Sequence, residues 1–169
     1  MRAGGIVLAL VAALVLQTVL ARFLSRGADV VDFVLVVVVY VALVFGPVTG
    51  LLAGAVGGLA QDALSSGIIG IGGLAKIVVG FAAGIGETQL IVAQPLPRFV
   101  VFFAATILHA VLFIGLYVLL ELRQLGTPYA AIGGQAVGNA AVGVVAFQLV
   151  ETVPVAVERW RAQKARIRR

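Results

Sequence analysis

Few side chains in this sequence could do chemistry, and the sharpest of them lie inside apolar stretches. Asp62 and Lys76 are each seven residues from Ile69, so an antiparallel hairpin turning near residues 65–70 brings them to similar depth. A charge inside a bilayer is costly unless it is paired or close to the interface. The spacing therefore predicts a structural ion pair, Asp62 with Lys76, or an interfacial cap with Ser65 and Ser66; a substrate or proton-transfer site is the chemical alternative. His109 is the only histidine, and it recurs with Phe113, Tyr117 and Glu121 at four-residue spacing along one helix face. One histidine with scattered carboxylates does not make a metal site, which leaves a hydrogen bond to another helix or a proton transfer. Gln135 and Asn139, beside Gly134 and Gly138, are placed to bond across helices or to line a polar ligand pocket. The chain has no cysteine, which removes disulfides and thiolate chemistry. No Walker loop, GxSxG elbow or HExxH pair occurs, and no serine lies near His109 in sequence, so catalysis, metal and cofactor are not expected.

The elements that must position these groups follow from composition. Of 169 residues 62% are hydrophobic and 11% charged, with mean hydropathy +1.18, against about 25% charged in an average soluble domain. A water-soluble globular protein is excluded. At about twenty apolar residues per span, six spans use roughly 120 residues and leave no room for a soluble domain. The first span reads Gly4 to Phe23. A polar link, Arg22 to Asp32, precedes an uncharged run from Phe33 to Gln61, and that run is too long for one straight span.

Gly46-Pro47 sits near its middle. Proline removes a backbone donor and disfavours helix at the residue before it, so the run is split into spans at Val30–Phe45 and Val48–Leu64. A fourth span runs Ile69–Ile85, a proline-containing loop Glu87–Arg98 follows, and spans at Phe99–Leu120 and Ala130–Val153 complete an all-α bundle. Keeping 33–61 whole gives five spans instead of six. Both counts put the C-terminus in the cytoplasm, because residues 159–169 hold six basic residues and no acidic one. The organisation is thus one helical bundle, residues 1–158, and a basic tail, residues 159–169. In that tail Trp160, Arg161, Lys164 and Arg166 are candidate contacts for membrane lipids or a cytoplasmic protein; nothing points to nucleic acid.

Glycine is clustered, with twelve of the 21 falling between Gly46 and Gly86. Gly50, Gly54 and Gly58 recur on one helix face, and Gly72, Gly80 and Gly84 on the next, with Lys76 completing the row. Small residues let membrane helices approach closely, so two such faces predict a tight hairpin.

The order of these features resembles the MreD family, rod shape-determining membrane proteins of bacteria. An acidic residue opens a short span (Asp32) and a tyrosine lies near its end (Tyr40), followed by Gly46-Pro47. A glycine-rich span then closes in Gln61-Asp62-Ala63-Leu64-Ser65-Ser66-Gly67, and Gly70 leads into Leu74-Ala75-Lys76 and Gly80-Phe81-Ala82-Ala83-Gly84. The resemblance implies six spans in the bacterial inner membrane and a non-enzymatic scaffold of the cell-elongation machinery. That scaffold would bind the single-span protein MreC and help couple MreB filaments to the peptidoglycan polymerase RodA and its partner transpeptidase; a homodimer is left open. MreD is also similar in fold to the substrate-binding (S) components of energy-coupling-factor vitamin transporters. An S subunit, with Asn139, Gln135, His109 and Asp62 lining a cavity, is therefore the alternative expectation.

Overall fold

The computed structural model describes residues 2–23, 31–65, 68–89, 94–120 and 129–167. Within them the chain forms helices α1 (Arg2–Phe23), α2 (Phe33–Phe45), α3 (Pro47–Leu64), α4 (Ile71–Gln89), α5 (Pro95–Leu119) and α6 (Tyr129–Ile167). Three stretches, Ala3–Ala21, Pro95–Leu119 and Ala130–Thr152, are long and apolar enough to cross a membrane, and Phe33–Phe45 and Ile71–Gly86 are shorter apolar helices. The architecture is all-helical and consistent with a helical membrane protein.

The uncharged run after Asp32 is two helices separated by Gly46 alone. That residue has φ 87° and ψ 176°, a region open in practice only to glycine, and its N–H donates to the Ala42 carbonyl. Pro47 then takes the first position of α3, where a missing N–H has no partner to lose. The reversal lays α3 antiparallel on α2, with Gly50 against Ala42 and Gly57 against Val34.

α3 and α4 approach each other more closely still. Gly50 faces Gly80, Gly54 faces the Lys76 backbone, Gly58 faces Gly73, and Gly84 lies on Gly46-Pro47; a Cβ at any of Gly50, Gly54, Gly58, Gly80 or Gly84 would collide with backbone of the opposite element. Gly72 instead meets the Asp62 carboxylate. In a bilayer such contacts substitute backbone packing for a hydrophobic drive that lipid does not provide. Gly134 has open space where a Cβ would be. Gly143 of α6 does pack tightly, against the Phe102 ring.

α2 is apolar all round and sits at the centre, packed against α1, α3, α4, α5 and α6, as a helix with no polar face must. One core cluster joins α2 to α4, α5 and α6 around Leu35, Val39, Val79, Phe102 and Ala140. A second joins it to α1 and α3 around Leu10, Val34, Val38 and Ala53.

Several boundaries differ from the sequence expectation for local reasons. α2 starts at Phe33 because Asp32 is its N-cap. α5 starts at Pro95, inside the expected loop, since Pro95 and Pro97 both fall in a first turn where proline is tolerated. α6 continues through residue 153 to Ile167, so the bundle and the basic tail share one helix. Trp160, Arg161, Lys164 and Arg166 lie on its last turns, and their side chains, like Ser66 and Glu121, are outside the described residues.

Candidate functional site

The polar groups converge on the first turn of α2. Asp32 caps that helix, its Oδ1 accepting from the Leu35 N–H at 2.9 Å. Its Oδ2 lies 2.8 Å from Lys76 Nζ, and both side chains are buried. This corrects the ion pair expected between Asp62 and Lys76. Asp62 Oδ2 accepts instead from the Gly70 and Gly73 N–H groups, at 2.8 and 2.9 Å. It thereby caps α4, whose unpaired first-turn N–H groups need an acceptor. The hairpin does bring the two side chains to neighbouring depth, but α4 presents Lys76 toward α2 and its own N-terminus toward Asp62.

Lys76 Nζ is also 3.2 Å from His109 Nε2. An ammonium has only donors, so Nε2 accepts and the ring proton sits on Nδ1. The ring stacks on Phe113 at 5.9 Å, and Phe113 lies 4.9 Å from Tyr117, so the four-residue spacing on α5 is an aromatic ladder leading away from the ion pair. From α6, Asn139 Oδ1 accepts from the Asp32 N–H at 2.8 Å, and Asn139 Nδ2 donates to Thr106 Oγ1 at 3.1 Å. Thr106 in turn donates to the Phe102 carbonyl at 2.9 Å. Gln61 Nε2 of α3 reaches Asp32 Oδ1 at 3.5 Å, and Gln17 Oε1 of α1 accepts from the Val34 N–H at 3.4 Å. Side chains of α1, α3, α4 and α6 thus reach the start of α2, and α5 joins them through Thr106 on Asn139 and His109 on Lys76. Gln61 Oε1 is buried and has no hydrogen-bond partner among the described residues.

His109 and Asn139 are each ten residues in from the end of α5 and the start of α6, or about 15 Å along those helices. The pair is therefore deep in the long helices although it lies near the ends of α3 and α4. A buried charge left unpartnered there would be strongly destabilising. The geometry supplies each formal charge with a counter-charge and hydrogen bonds.

A second polar group lies at the opposite end. Arg98 Nη1 and Nη2 donate to Glu151 Oε2 and Oε1, both at 2.8 Å, in a bidentate pair. The guanidinium stands 3.9 Å over the Phe147 ring, which Tyr40 meets edge-on at 5.0 Å. Arg98 is buried, whereas the Glu151 side chain is 52% exposed.

Of the four residues that would line a vitamin cavity, Asn139 and His109 share the Asp32 network. Asp62 is occupied at the start of α4, and Gln135 is half-buried one turn before Asn139, outside the network. Sequence reasoning missed Asp32, Arg98 and Glu151 as partners. The available signals were an aspartate immediately before an uncharged run, opposite in sign to Lys76, and a glutamate inside an expected span. Chemically the cluster is a strut. Both Asp32 oxygens and the His109 Nε2 are engaged within the protein, and among the described residues no group of three His, Cys, Asp or Glu side chains could hold a metal.

Comparison with known proteins adds one result. The family model described as rod shape-determining protein MreD matches residues 4–145. No curated protein and no solved structure gives a match.

Proposed function

This chain belongs to the MreD family of rod shape-determining membrane proteins, and from that premise we propose that it is a non-enzymatic scaffold of the cell-elongation complex. It binds the single-span protein MreC and helps couple MreB filaments to peptidoglycan synthesis by RodA and its partner transpeptidase. In this reading the chain spans the inner membrane six times with its C-terminus in the cytoplasm. The Asp32 cluster then faces the outer half of the bilayer and the Arg98–Glu151 pair the cytoplasmic side.

The observation that carries the reading is the use of the interior polar side chains. Asp32, Lys76, His109, Asn139 and Thr106 bond to one another across helices, as a rigid bundle requires and a ligand site does not. A bundle held this way keeps its outer faces in fixed register for other membrane helices.

The test is mass spectrometry of what co-purifies with the tagged protein from native membranes in mild detergent. MreC, with or without cell-wall synthases, is the expected result. An integral coupling subunit with paired ATPases would overturn the reading in favour of a vitamin-transporter S subunit.

A further inference from the structure

Cylinders of equal width pack six around one, each about 10 Å from the centre. α2 holds the central place in this bundle and has five neighbours, α1, α3, α4, α5 and α6. Around it α1, α3, α4, α5 and α6 touch in succession, whereas α1 and α6 do not meet among the described residues. Among the described residues one of the six positions is open, and it lies between α1 and α6.

The side chains of α2 mark the same opening. Up to Leu43, every residue of α2 is buried except Phe33, Val37 and Tyr40, and Val44 continues their row as an exposed residue. At 100° per residue these four fall on one narrow arc. On one side of that arc lie the residues packed toward α1 and α3, and on the other those packed toward α4, α5 and α6. The floor of the groove is therefore an apolar stripe one helix wide, with α1 and α6 as walls.

We propose that this open position seats the transmembrane helix of another chain, a single-span partner with basic residues at its cytoplasmic flank. The proposal rests on the scaffold reading and names its surface. The charge at one end selects the occupant. Tyr40, in the floor, touches Phe147 of α6, and one turn further along α6 is Glu151. Its carboxylate is held by Arg98 on one side and is half exposed on the other. With α6 running toward the cytoplasm, that carboxylate stands where single-span proteins carry lysine and arginine. β-Branched Val37 and Val44 present a stiff, shallow surface against which a helix packs closely, and close packing is what holds helices together in lipid.

The test uses the full chain with a photo-crosslinking amino acid at Val37 or Val44, and at Val78 or Phe81 on an exposed part of α4 as controls, co-expressed with MreC. Crosslinks to the MreC transmembrane helix are expected at Val37 and Val44 and only background at Val78 and Phe81. Glu151→Gln lowers the groove crosslink about five-fold, the size of a half-exposed ion pair. Val37→Trp, which fills the groove, lowers recovered MreC. Crosslinks to MreC at the control positions but not in the groove overturn this surface and leave the scaffold reading standing. If the groove carries only lipid adducts, or a product of two copies of this chain, while MreC still co-purifies, the proposed occupant is wrong. Absence of MreC from the purified material overturns the scaffold reading, and this proposal with it.

Discussion

Replacing Asp32 by asparagine isolates the charge of the central ion pair. Asn is as good an N-cap as Asp, so the bond to the Leu35 N–H survives, and the backbone bond from Asp32 N–H to Asn139 is untouched. What is lost is the negative charge 2.8 Å from a buried Lys76 ammonium. Removing one member of a buried pair costs about 3–5 kcal/mol. For a chain of this length about 3 kcal/mol corresponds to a fall in Tm of about 6–12 °C. Lys76→Met strands the carboxylate instead and should cost a similar amount. The Asp32→Asn/Lys76→Met double variant removes both charges and should lose clearly less than the sum of the singles, while staying below the parent because His109 Nε2 has lost its Lys76 donor. The assay is thermal unfolding in detergent, read as the fraction staying monodisperse after heating. If the double variant falls by the sum of the singles, or Asp32→Asn is harmless, the pair is not the strut described above.

Other substitutions probe the rest of the frame. Gly54→Val drives a side chain into the Lys76 backbone and should cost about 1–3 kcal/mol by overpacking, whereas Gly134→Ala, which meets open space inside a helix, should not lower the same melting curve. Gly46→Ala forces φ 87° on an L residue, at a cost of about 1–3 kcal/mol, and should lower Tm without altering helix content by circular dichroism. Asp62→Leu orphans the Gly70 and Gly73 N–H groups and should destabilise by about 1–3 kcal/mol, while Asp62→Asn, keeping an acceptor, should recover most of that loss; equal loss in both would mean that charge, not capping, is the role of Asp62.

How much of this molecule is legible in its sequence depends on whether the information is local. Helical class follows from composition alone, because a chain this apolar must satisfy its backbone internally. Proline's missing N–H and its effect on the residue before it put the break at Gly46-Pro47 within reach of the sequence, and the four-residue glycine rows foretell a close α3–α4 approach. Asp62 and Lys76 were identifiable as groups needing partners. The partners were not, since two carboxylates, Asp32 and Asp62, were within reach of one lysine. Which of them meets it depends on how α4 is rotated against α2 and α3, a matter of packing among several helices. Likewise Asp32 reads as the end of a polar link until α2 is placed at the centre and five neighbours close around its first turn. The seat between α1 and α6 is legible in no segment. It exists because five helices fill five of six places around a sixth helix, and only the tertiary arrangement decides which place stays open.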